Sequence, residues 1–171
     1  MNTRSCLLVL LLVFLFVPAL SAGPISSCQT LSSPNTIYTL TADIYTSSTC
    51  FNINAENITL DCAGHSLYGR YDGTYGVYSN SFNTTVMNCN ISRFYYGVDM
   101  DSAPNASFIN NSVYSNVYDG FALYSSDNAT FHGNNITQND VGILLWPSQF
   151  AIVGAHKSHK TMSCASTLSS H

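Results

Sequence analysis

Charge is scarce in this chain. Only 8% of its residues are charged, Lys and Arg together number five, and Glu56 is the sole glutamate. With a net charge of -4 there is no basic surface on which a phosphate backbone could exchange its counterions, so nucleic acid is excluded as a partner class. Ala, Glu and Lys are thin where β-branched and aromatic residues abound, and no stretch keeps helical spacing for more than two turns, which excludes a helical fold. Long apolar runs are missing too, with one exception. Residues 6–17 are unbroken apolar, follow Arg4 and lead into "PALSAG", small residues suited to signal peptidase. A run this short falls well below the roughly 20 residues that span a bilayer. Residues 1–22 are therefore expected to be a signal peptide, and the mature chain of about 149 residues to be secreted or held at the cell surface without a membrane span.

Five cysteines remain once Cys6 leaves with that segment: Cys28, Cys50, Cys62, Cys89 and Cys164. In an exported protein disulfides are their first reading. Cys28 and Cys50 bracket the first mature segment, where a bridge contributes about 3 kcal/mol by closing the loop. Cys62 and Cys89 lie about one repeat apart and can face each other on neighbouring turns. Cys164 is left over, and no spacing matches a zinc-finger pattern.

What the chain does have is a beat. Asn57, Asn83, Asn105 and Asn128 recur at intervals of 26, 22 and 23 residues, and Gly76, Gly97, Gly120 and Gly142 at 21, 23 and 22. Each glycine opens an apolar stretch, "GVYS", "GVDM", "GFAL", "GILL". Within each unit sits a further apolar pair: Leu60 with Leu67, Val86 with Ile91, Phe108 with Val113, Phe131 with Ile136. Apolar residues two apart mean strands, and a period near 22 means a repeat architecture. A unit of three short strands buries its apolar face only by coiling, each strand pairing in parallel with its counterpart one turn later. The expected fold is all-β: a single-stranded right-handed parallel β-helix of about five coils, roughly 24 Å tall at the strand spacing. Equivalent residues then stack. Asn88 with Asn110, or Asn111 with Asn134, are expected ladder members, and Val77, Val98, Phe121 and Ile143 an inward column. Residues 57–153 are assigned to the repeats, 23–56 to an N-terminal cap and irregular first coil, and 154–171 to a polar, disordered tail.

The segment "TLTADIYTSSTCFNINAENITLDCAGHSLYG", followed by "GVYSNSFNTTVMNCNIS", resembles the right-handed parallel β-helix repeat proteins, the broad pectin-lyase-like and NosD-like group, in particular its secreted or cell-surface archaeal members. The likeness covers roughly residues 28–147 and is most specific in "NITLDCAGHSLYG". It implies the fold and an extracellular setting. The group includes polysaccharide lyases, hydrolases, adhesins and periplasmic proteins of metal-site maturation, so membership leaves the activity open. Enzymes of the group use outward carboxylates on consecutive coils. The matching candidates are Asp99, Asp101 and Asp119, with Asp127 and Arg93 nearby, as acid/base groups or Ca²⁺ ligands. The same carboxylates serve equally well to solvate an otherwise uncharged surface. The hydrolase elements "NTD", "DD" and "RIK" are absent, and "AGH" at 63–65 reads as a turn.

A ligand strip is expected where Tyr124 and Trp146 align beyond Asn80 and Asp101, aromatic faces beside polar groups being suited to sugars. Seven Asn-x-Ser/Thr sequons, at Asn57, Asn83, Asn90, Asn105, Asn110, Asn128 and Asn135, are glycosylation candidates, the beat itself being mainly structural. His156, His159, Met162 and Cys164 form a weaker metal candidate, and no cofactor other than Ca²⁺ is suggested. The leading expectation is a non-catalytic protein that binds carbohydrate, adheres or serves a structural role, its partners being polysaccharides or cell-envelope glycans, with end-to-end self-association through exposed coil ends. A lyase or hydrolase acting on acidic glycans is the alternative, as is a fragment of a longer β-helix without independent activity.

Overall fold

The computed structural model describes residues 20–21, 23–72 and 74–148, together with the backbone of three strands beyond them, Ile152–Val153, Lys157–Ser158 and Met162–Cys164. The expected signal peptide therefore lies outside the described residues, apart from the backbone of Leu20–Ser21, and so does most of the 154–171 tail.

Three parallel sheets run the length of the molecule. One contains Thr36–Thr39, Thr59–Asp61, Thr85–Met87, Ser107–Ile109 and Thr130–His132, with Leu20–Ser21 and Ile152–Val153 at its ends. A second contains Ile44–Tyr45, Ser66–Tyr68, Asn90–Ser92, Ser112–Tyr114 and Asn135–Thr137, ending on Lys157–Ser158. The third has the longest strands: Gln29–Leu31, Phe51–Ile53, Tyr75–Ser79, Tyr96–Asp101, Asp119–Tyr124, Val141–Trp146 and Met162–Cys164. The chain visits the sheets in turn, so each strand pairs with its counterpart one winding away. Between residues 36 and 146 this makes five windings of a parallel β-helix, and no helix occurs among the described residues.

The core is the stack of inward columns that the repeat demands. Leu60, Val86, Phe108 and Phe131 are register partners on the first sheet. Leu67, Ile91, Val113 and Ile136 are partners on the second. Val77, Val98, Phe121 and Ile143 are partners on the third, and all twelve are buried. Phe108, Phe121 and Phe131 meet on the axis with centroids 4.7 to 5.3 Å apart. Burying each such side chain contributes about 1.5–3 kcal/mol, which offsets the cost of ordering so short a unit.

Two devices turn the corners. Asn57, Asn83, Asn88, Asn105, Asn110 and Asn128 hold φ between 54° and 62°, the left-handed region that Asn tolerates. Gly76, Gly97 and Gly120 face inward instead, beside the Val or Phe that follows. A Cβ on Gly97 would lie 2.5 Å from Val113 Cγ1 and 2.6 Å from the Gly120 carbonyl oxygen, so only glycine fits. Two consecutive inward residues reset the alternation. The residue before each glycine thus points outward although it stands two positions from an inward Val or Phe.

Buried asparagines satisfy the backbone at tight bends. Asn111 Nδ2 donates to Asn134 Oδ1 at 3.0 Å and to the Val86 carbonyl at 2.9 Å, while Asn111 Oδ1 accepts from the Cys89 amide. Asn116 and Asn139 repeat the arrangement in the next bend, at 3.0 Å. Of the two expected ladders, the Asn111–Asn134 pair forms, whereas Asn88 donates to Asp61 Oδ1 at 3.0 Å rather than to Asn110. Both expected disulfides are present, Cys28–Cys50 and Cys62–Cys89. Each ties one winding to the next.

Candidate functional site

The outer face of the long-stranded sheet collects the chemistry. Because Gly76 and Gly97 turn inward, Tyr75 and Tyr96 stack outside the helix at 5.6 Å in register with each other. Tyr78 joins Tyr75 at 5.3 Å, and Tyr118 extends the contact from Tyr96 at 5.4 Å. The result is a continuous shelf of phenol rings across three windings. Beside it Asp99 pairs in register with Tyr78 on one side and Ala122 on the other, and Asp101 pairs with Tyr124, itself the partner of Trp146.

A cleft of about 470 Å³ opens on this face. Tyr75, Tyr78 and Tyr124 supply aromatic walls, Asp99 and Asp101 the acidic side, and Thr49 and Asn52 the end nearer the N-terminal winding. Thr49 and Thr74 are joined there through their hydroxyls.

The two acids of the cleft differ in surroundings. Asp99 points outward yet is only 4% exposed, because the tyrosines wall it in. Burial, reinforced by the neighbouring charges of Asp101 and Asp119, pushes its pKa up to about 7. Asp101 is exposed and accepts from the Ser102 hydroxyl at 3.1 Å. Asp119, 6% exposed, takes the position before Gly120 that Tyr75 and Tyr96 hold before their glycines. Burial and then Asp140 push it up to about 6. Tyr124 is raised to about 12, first by burial and then by Tyr96 and the acids, so its hydroxyl keeps its proton.

The expected site residues are thus divided. Asp99, Asp101 and Tyr124 share the cleft, and Asn80 and Trp146 flank it, Asn80 following the Ser79 that pairs with Met100 and Trp146 standing 47% exposed one winding beyond Tyr124. Asp119 lies beside the cleft in the neighbouring column. Asp127 lies past the strand end in a turn, where its carbonyl accepts from the Asn105 amide. Arg93 is elsewhere altogether, 6.0 Å over the Tyr68 ring of the second sheet. Solvation of the surface accounts for the exposed Asp101 but not for the buried Asp99 and Asp119. Tyr75, Tyr78, Asn52 and Thr49 escaped the sequence reading. The signal for Tyr75 was its place immediately before Gly76, matched by Tyr96 before Gly97, a position that strict alternation assigns to the wrong face.

His156 and His159 fall outside the described residues, and Met162 and Cys164 are described in backbone only. Among the described residues no group of three or more His, Cys, Asp or Glu is placed to hold a metal ion. His65 instead sits 3.3 Å from Asp43, and Ala63 and Gly64 hold the positive φ of a turn. No helix among the described residues is long and apolar enough to cross a membrane. Of the sequons, Asn57 and Asn83 are engaged in a ladder, Asn57 Nδ2 donating to Asn35 Oδ1 at 2.9 Å and Asn83 Nδ2 to Asn57 Oδ1 at 2.8 Å. Asn90 Nδ2 donates to the Gly64 carbonyl, and Asn105 is half-buried. Asn110, Asn128 and Asn135 are exposed.

In comparison with known proteins, the family model described as "Right handed beta helix region" matches residues 26–158. No curated protein and no solved structure matches the chain.

Proposed function

From the premise that this chain belongs to the right-handed β-helix family, we propose that it is an exported, non-catalytic protein that binds glycans on the outer face of its long-stranded sheet. The observation that carries the reading is the cleft itself: stacked phenol rings beside carboxyl and amide groups, held on paired strands of the long-stranded sheet. Sugar rings present C–H faces to aromatic side chains and hydroxyls to polar ones, and this face offers both at the strand spacing. The strip of Asp101, Tyr124 and Trp146 continues the surface over successive windings, which suits a chain of sugars better than a single ring. Export by residues 1–22 supplies the setting, and glycans are assigned to the exposed sequons Asn110, Asn128 and Asn135. A glycan array probed with the exported protein tests the reading. Binding that falls by about tenfold in Tyr78→Ala and Trp146→Ala supports it, and an array that stays blank overturns it.

One observation favours a second reading, glycan cleavage. Asp99 keeps its proton near neutral pH beside the exposed Asp101, and an acid paired with a carboxylate is what glycoside hydrolysis requires. Release of reducing ends from a bound glycan, abolished in Asp99→Asn, would move the assignment to an enzyme.

A further inference from the structure

The glycan-binding reading leaves open which sugars the cleft takes, and its charge narrows the choice. Its polar lining is Asp99, Asp101, Asn52, Thr49 and the tyrosine hydroxyls, and neither Lys nor Arg lines it among the described residues. A uronate or sulfated sugar would bring a second negative charge against Asp101, and against Asp99 once that group ionises, with no cation among the described lining residues to offset it. Asp99 is a buried acid that lines the cleft, with Asp101 and Asp119 as its charged neighbours. A buried acid in that state is stabilised most by a donor that carries positive charge. The walls suit the same visitor, because the faces of Tyr75, Tyr78 and Tyr124 present negative π-density to a cation.

We propose that this cleft takes an amino sugar whose amine is free, its ammonium group pairing with Asp99 and Asp101 between the tyrosine rings. The assignment rests on the glycan-binding reading and deepens it. An N-acetylated sugar of the same shape has no charge to offer Asp99 and adds an acetyl group beside it. Among the described residues, the charged and titratable groups facing Asp99 are Asp101 on its own strand, Asp119 on the next and the phenols of Tyr75, Tyr78, Tyr96 and Tyr124, none of them cationic. Because Asp99 holds its proton up to about pH 7, an arriving ammonium expels it, and binding at pH 6 releases a proton to the buffer.

Calorimetric titration of the disulfide-intact chain at pH 6 with three tetrasaccharides of equal length tests this: glucosamine, N-acetylglucosamine and galacturonate. The expected result is that the glucosamine tetramer binds at least about tenfold more tightly than either of the others. Proton release should accompany binding, seen as a dependence of the heat on the buffer's ionisation enthalpy. Asp99→Asn, which preserves shape, should abolish both the preference and the proton release. Asp101→Asn, at an exposed position, should reduce the preference. Equal or tighter binding of the N-acetylated or uronate tetramer overturns the amino-sugar assignment while leaving glycan binding intact. Failure of all three tetramers to bind also overturns it, and only a blank glycan array removes the underlying reading as well.

Discussion

Asp99 is costly where it stands. Its carboxyl is raised from the usual 3.8 to about 7 and that of Asp119 to about 6, so between about pH 4 and 7 the folded chain holds protons that the unfolded chain has already released. Stability linked to these groups is full below about pH 4 and is lost as pH rises through 6 and 7. Urea denaturation should accordingly give a lower unfolding free energy at pH 8 than at pH 5. Asp99→Asn should flatten that slope and stabilise the protein at pH 8 by at most about 4 kcal/mol. The opposite bargain holds at Asn111, which satisfies the Cys89 amide and the Val86 carbonyl and pairs with Asn134. Asn111→Ala strands those buried groups and should cost about 2–4 kcal/mol in the same assay.

At the scale of the element, the inward glycine decides what each long strand displays. Gly97→Ala forces a Cβ to 2.5 Å from Val113 and 2.6 Å from the Gly120 backbone, and backbone has nowhere to move inside a stacked helix. The substitution should lower stability by about 1–3 kcal/mol or more, with Tyr96 displaced from the shelf and its quenching environment changed in tyrosine fluorescence. The same glycine marks the limit of what could be read from sequence. Columns such as Val77, Val98, Phe121 and Ile143 were legible because identical environments recur every winding, and the Cys62–Cys89 pairing because its spacing is close to one winding. Tyr75 was not legible, since counting by twos from Val77 sends it into the core, and only the doubled inward step at Gly76 brings it out. An aspartate on an outward position reads as exposed until the neighbouring windings are known to close over it.

At the scale of the molecule, each winding touches little beyond its neighbours, so stability is close to a sum of winding and interface contributions. The two disulfides both tie windings in the N-terminal half, between Cys28 and Cys89. Replacing Cys28 and Cys50 together by Ser should remove about 3 kcal/mol and raise hydrogen exchange in the first winding, with little change around residues 130–146. The same local independence would let a binding face on the third sheet leave the other two sheets undisturbed. Hydrogen exchange with and without a bound glycan measures that division most directly. New protection is predicted in Tyr75–Ser79, Tyr96–Asp101 and Asp119–Tyr124, with Thr85–Met87 and Ser112–Tyr114 unchanged. Protection confined to the first or second sheet would contradict a binding face on the third.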